Sequence, residues 1–184
     1  MCAENAGDGQ LEATGPTPGL LIVWHSRTRG SEQLARAAHD GAHHALHELQ
    51  SDRSVRLLGA ADAGPPDLLD AAAYLFVCPE NLAAMSGQMK EFFDRCYYPV
   101  LGRLDGRPYA SIICAGSDGQ SAQAQIARIA TGWRLRCVAR SLIVCTEAQT
   151  PAQILAVKTI APASLAAAAD MGGRLAAGLA LGID

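Results

Sequence analysis

Leu20-Leu21-Ile22-Val23-Trp24 passes directly into His25-Ser26-Arg27-Thr28-Arg29-Gly30-Ser31, and that junction sets the architecture of the chain. A short, continuous apolar run is expected of a strand buried on both faces. After it, residues 31–49 show a helical period, with Leu34, Ala38, Ala42, Ala45 and Leu49 on one side of the wheel. Between strand and helix lie three hydroxyls, one glycine and two guanidiniums. Backbone N–H groups at a helix start favour an anion, hydroxyls add donors, and Gly30 permits close approach. A phosphate monoester suits such a loop.

The same alternation continues along the chain. Strands are expected at residues 55–58, 73–78, 109–115 and 141–145, and helices at 85–95, 122–135 and 162–181. In the 85–95 helix Met85, Met89, Phe92 and Phe93 point inward. Gly64-Pro65-Pro66 reads as a break. Strand and helix in turn imply right-handed crossovers and a parallel sheet. Ligands of such open sheets bind outside the carboxyl ends of the strands. The loops after the first, third and fourth strands are also the most distinctive segments of the sequence.

The 184 residues suit one domain: a tail over residues 1–19, Gly/Pro-spotted and polar, then a folded unit over 20–184. A formal net charge of -3 with scattered Lys and Arg gives no electrostatic footprint for nucleic acid. No apolar run reaches a membrane span, and the first residues lack a signal-peptide pattern, so no membrane partner and a cytoplasmic location are expected. The six cysteines form no Cys-x-x-Cys pair and are read as buried, reduced thiols. His39, His43 and His47 recur on the polar side of the first helix and are read as a solvated face, so no metal is expected. Trp133 is assigned to the core, whereas Tyr97 and Tyr98 fit either a surface contact or a border of the site. The Gly-x-Gly at Gly7-Asp8-Gly9 lies in the tail, and no Gly-Lys-Ser/Thr occurs, so dinucleotide and ATP fingerprints are absent.

With these residues laid out, the chain resembles the flavodoxin-like proteins. Their first loop follows Ser/Thr-x-Thr-Gly-x-Thr/Ser and holds the FMN phosphate; Ser26, Thr28 and Ser31 match its hydroxyls, and Arg29 stands at its glycine. The second loop, Cys78-Pro79-Glu80-Asn81-Leu82-Ala83-Ala84-Met85-Ser86-Gly87, followed by Gln88-Met89-Lys90-Glu91-Phe92-Phe93-Asp94-Arg95, resembles a segment of NAD(P)H-dependent FMN reductases. The resemblance implies that this loop lies along the flavin ring, with Leu82 and Ala84 where many relatives carry an aromatic. The third loop, Ala115-Gly116-Ser117-Asp118-Gly119-Gln120, would complete the ring and ribityl pocket.

The resemblance implies a flavodoxin-like α/β fold: a doubly wound, five-stranded parallel sheet, order 2-1-3-4-5, helices on both faces. It further implies an FMN site at Ser26, Arg27, Thr28, Arg29, Gly30, Ser31, Pro79, Glu80, Asn81, Leu82, Met85, Ser86, Ala115, Gly116, Ser117, Asp118 and Gly119. The expected function is an FMN-binding oxidoreductase that takes electrons from NADPH or NADH and passes them to a small acceptor: a quinone, azo or nitro compound, or free flavin. No side chain need be catalytic, because the flavin carries the chemistry. A non-enzymatic electron carrier and a flavin-less binding module on the same fold stay open, as does assembly into a homo-oligomer. A tyrosine phosphatase is excluded, since no cysteine of the strand-end loops has an arginine six residues on; a phospho-receiver is excluded by the missing acidic pair.

Overall fold

The computed structural model describes residues 17–183; Cys2, Gly7-Asp8-Gly9 and the first sixteen residues of the expected tail lie outside them. In order, the elements are β1 (Thr17–Trp24), α1 (Gly30–Glu48), β2 (Arg53–Gly59), α2 (Pro65–Asp70), β3 (Ala73–Asn81), β4 (Ala84–Met85) and α3 (Gly87–Val100). These are followed by β5 (Pro108–Ala115), α4 (Gln120–Gly132), β6 (Arg136–Cys137), β7 (Leu142–Cys145), α5 (Pro151–Leu155) and α6 (Pro162–Leu181).

The sheet runs β2-β1-β3-β5, with β6 and β7 both paired to β5 at its far side. All of these pairs are parallel. The expected order 2-1-3-4-5 is therefore realised, with the fifth strand in two pieces: β6 meets the start of β5 and β7 its end. β4 is a short antiparallel return along β3.

Because strand side chains alternate, β1 feeds two cores. Leu21 and Val23 join Phe76, Phe92, Phe93, Ile113, Ile126 and Trp133 on the α3/α4 side. Leu20 and Ile22 join Leu34, Ala38, Leu75, Ile112, Ala168 and Leu175 on the α1/α6 side. Trp133 is in the core as expected, edge-on to Phe93 with ring centroids 5.3 Å apart.

On the α1/α6 side the helices meet backbone to backbone. A Cβ at Gly172 would lie 2.0 Å from the Ala38 carbonyl oxygen, and one at Gly41 would lie 2.1 Å from that of Ala169. The buried stripe of α1 is Leu34, Ala35, Ala38, Ala42 and Leu46. Ala45 is only half-buried, and Leu49 is the C-cap, 40% exposed. The expected face is thus rotated at its last turn, where Leu46 rather than Ala45 or Leu49 reaches the core.

Three other expectations change. Gly64-Pro65-Pro66 does not simply break the chain: Pro65 and Pro66 open α2, at positions where the missing N–H costs nothing. Met85 belongs to β4, and α3 begins at Gly87. Cys78, Cys96 and Cys114 are buried thiols, but Cys137 and Cys145 are exposed, because the strands that carry them form the open edge of the sheet.

Candidate functional site

At the carboxyl ends of β1, β3, β5 and β7 lies a cleft of about 570 Å³. The phosphate-type loop forms its floor. Ser26, Arg27, Thr28, Gly30 and Ser31 all line it. Arg29 does not; it is the N-cap of α1, with φ 65, and its Nε donates to Glu32 Oε2 at 3.2 Å. That left-handed conformation is what glycine adopts most easily, so Arg29 holds it at a cost of about 1–2 kcal/mol. Gly30 packs closely on β5, since a Cβ there would lie 2.6 Å from Cys114 Sγ.

Ser31 carries the sharpest signal. It is 1% exposed, and its Oγ has no hydrogen-bond partner among the described residues although it borders the cleft. The neighbouring Cys114 thiol offers it only a weak contact. A buried, unpaired hydroxyl costs about 1–3 kcal/mol, and one that borders a cleft can be satisfied by what fills the cleft, whether ligand or water. It sits in the first turn of α1, where N–H groups have no preceding carbonyls to bond. The donors present fit a phosphate.

The second loop is a hairpin. Glu80 pairs with Met85 and Asn81 with Ala84, leaving Leu82 and Ala83 as the two turn residues, with φ 52 and 54. Two consecutive left-handed residues make a type I′ turn, which normally demands Asn or Gly. The hairpin pairing sustains this strain of about 1–3 kcal/mol per residue, and the turn carries Leu82 fully out into solvent, at 102% exposure, on the rim of the cleft. Pro79, Glu80 and Asn81 line the cleft wall below it.

The Glu80 carboxylate does more than border the cleft. Its two oxygens accept from the N–H of Gly119 at 3.0 Å and of Ala122 at 2.9 Å, capping α4. The second and third loops are thereby locked together. Gln125 of α4 adds to this by accepting from Met85 N–H at 3.0 Å.

Of the third loop, Ala115 and Gly116 line the cleft, whereas Ser117 and Asp118 are exposed beside it and Gly119 is buried as the N-cap of α4. Met85 and Ser86 are buried behind the hairpin, not in the cleft. Ser86 instead holds His25, whose Nδ1 is 2.8 Å from Ser86 Oγ. Burial, with the Arg27 guanidinium close by, pushes the His25 pKa below its ordinary 6.5. Burial likewise pushes the Cys78 thiol up to about 12, so it is no nucleophile. Tyr97 and Tyr98 are exposed on α3 and do not line the cleft.

A fourth wall escaped the sequence reading. Thr146, Ala148, Ile154, Leu155 and Lys158, with Cys114 behind them, complete the cleft. These residues follow β7, on a segment with no apolar period to announce it.

The profile of the NADPH-dependent FMN reductases matches residues 27–149. The chain belongs to that family. The match takes in all three expected loops apart from His25 and Ser26. The parallel α/β sheet of this structure agrees with a flavodoxin-like fold. An archaeal flavodoxin superposes with a TM-score of 0.68 at 15% identity, over 88% of this chain and 98% of that one. A WrbA-like flavodoxin from Agrobacterium tumefaciens gives 0.68 at 17% identity, over 90% and 98%. At these identities the likeness concerns the fold. In sequence, a flavodoxin of Aquifex aeolicus (strain VF5) is 30% identical over 98 residues, 53% of this chain. The chain spans about half the length of that relative, at 48%. No helix among the described residues is long and apolar enough to cross a membrane.

Proposed function

We propose that this FMN reductase family member binds FMN in the cleft and passes electrons from NADPH or NADH to a small acceptor such as a quinone, azo or nitro compound, or free flavin. The observation that carries the reading is the buried, unpartnered Ser31 hydroxyl at the start of α1, on the floor of a cleft at the carboxyl ends of the strands. Bound FMN would supply the redox chemistry, accepting a hydride from the nicotinamide and releasing electrons to the acceptor.

The residues of the chain bind and orient. Ser26, Thr28 and Ser31 offer hydroxyls to the phosphate, and the first-turn N–H groups of α1 favour its charge. Arg27 and Arg29, both exposed, raise the local potential for an anionic cofactor or a nucleotide co-substrate. Glu80 fixes the spacing between the two loops that flank the mouth. The small side chains of Ala83 and Ala84 leave the hairpin without an aromatic cover, which suits access by a nicotinamide and an acceptor in turn.

The test is anaerobic mixing of the FMN-loaded protein with excess NADPH, then NADH, while flavin absorbance is followed. Rapid bleaching by either, reversed by a quinone, is the expected result. If both nucleotides leave the flavin oxidised while dithionite reduces it, the chain is an electron carrier. A chain that takes up no FMN is a flavin-less module.

A further inference from the structure

Residues 146–161 stand between β7 and α6, and α5 is their only regular element. None of the residues of α5 is buried. Ile154 and Leu155 are 53% and 78% exposed, yet both line the cleft, as does Leu82 of the hairpin, which is also exposed. Exposed branched aliphatics on two walls of one cleft gain only when something apolar fills it, at about 25 cal/mol per Å² covered.

The segment is nevertheless held firmly in place. Thr150 and Gln153 form a capping box at the start of α5. The Lys158 ammonium donates to the carbonyls of Gln153, Ile154 and Ala156, closing its end. The Lys158 N–H donates to the Thr28 carbonyl at 2.8 Å, and Gln33 of α1 bonds both Lys158 O and Ile160 N. Thr146 is bonded to Ala115 O through its N–H and its hydroxyl. The apolar pair is thus anchored by main-chain bonds to the phosphate-type loop and to the third loop, with its side chains left uncommitted.

We propose that α5 is the second wall of the flavin site, with Ile154 and Leu155 supplying the apolar surface that an aromatic at 82–84 would otherwise provide. This rests on the FMN reading above. An aliphatic wall packs against the planar ring without the added attraction of ring stacking, which makes the cofactor exchangeable.

The test is FMN titration, followed by quenching of flavin fluorescence, on the full chain and three variants. Replacing both residues (Ile154→Ser with Leu155→Ser) is expected to weaken binding by about 10- to 100-fold, the cost of losing one or two buried aliphatic contacts. Val157→Ser, at an equally exposed position outside this cleft, is expected to stay within about twofold of the parent. Leu155→Trp gives a readout independent of affinity: added FMN should quench more tryptophan emission than in the parent. Unchanged affinity in the double variant, or no extra quenching in Leu155→Trp, overturns the inference while FMN binding stands. A parent chain that binds no FMN overturns the reading beneath it and this inference together.

Discussion

Along the seam of α1 and α6, backbones touch across Gly41 and Gly172, and Ala38, Ala42, Ala168 and Gly172 are buried there. A few residues earlier in the chain, α5 buries nothing and is tied down by carbonyls, an ammonium and a glutamine. The seam is close-packed, so any added volume must displace a main chain. The α5 wall is position without packing, so its side chains can change with little effect on the fold. Helix packing and the exposed cleft wall are thus kept on different parts of the molecule, and substitutions at the first should cost the most stability.

The largest effect is expected at Gly172→Val. Its branched side chain would meet the Ala38 carbonyl and force the helices apart, lowering stability by about 2–3 kcal/mol. Urea unfolding monitored by circular dichroism measures this; a loss below about 0.5 kcal/mol would show that the seam yields. Next comes Glu80→Ala, which belongs to neither extreme because its carboxylate joins two loops across the cleft. Losing two charge-assisted bonds to the start of α4 should cost about 2 kcal/mol and also weaken FMN binding, with Glu80→Gln intermediate. Equal FMN affinity in Glu80→Ala would separate loop spacing from cofactor binding.

The smallest effect is a pH dependence. Because His25 has a folded-state pKa below its ordinary 6.5, the neutral ring stabilises the fold fully above about pH 6.5. That stabilisation is lost as pH falls through the depressed value. The melting midpoint should therefore decline as pH is lowered below 6.5, less steeply in His25→Gln. Parallel curves for the two proteins would remove His25 from the account.

The same contrast explains what could be read from the sequence. The final helix, residues 162–181, was legible from its Ala/Leu-rich run, and the strand ending at Ala115 was legible to within one residue because it is buried along its whole length. At α1 the period was right, but the last turn drifted, since Leu49 marks the cap and not the face. The β3–β4 hairpin was invisible because Leu82-Ala83 carries neither Asn nor Gly where the turn needs positive φ. α2 was hidden by prolines that start a helix rather than end one. Most of the expected site residues line the cleft, but Arg29, Ser117 and Asp118 lie outside it, and Met85, Ser86 and Gly119 are buried away from it. Ile154, Leu155 and Lys158 left no signal, because an exposed helix of five residues has no hydrophobic stripe to show.

The left-handed Arg29 has one more consequence. Its backbone holds a shape that its own sequence does not favour, and the contacts that enforce it come from elsewhere: Cys114 beneath Gly30, and Lys158 on the Thr28 carbonyl. An isolated peptide covering residues 24–32 would therefore not preform the cradle. The cradle takes shape only after strands and helices distant in the chain have docked around it. On the proposed reading, flavin uptake would then double as a folding gauge, silent in partly assembled chains and responsive only when the whole domain has closed.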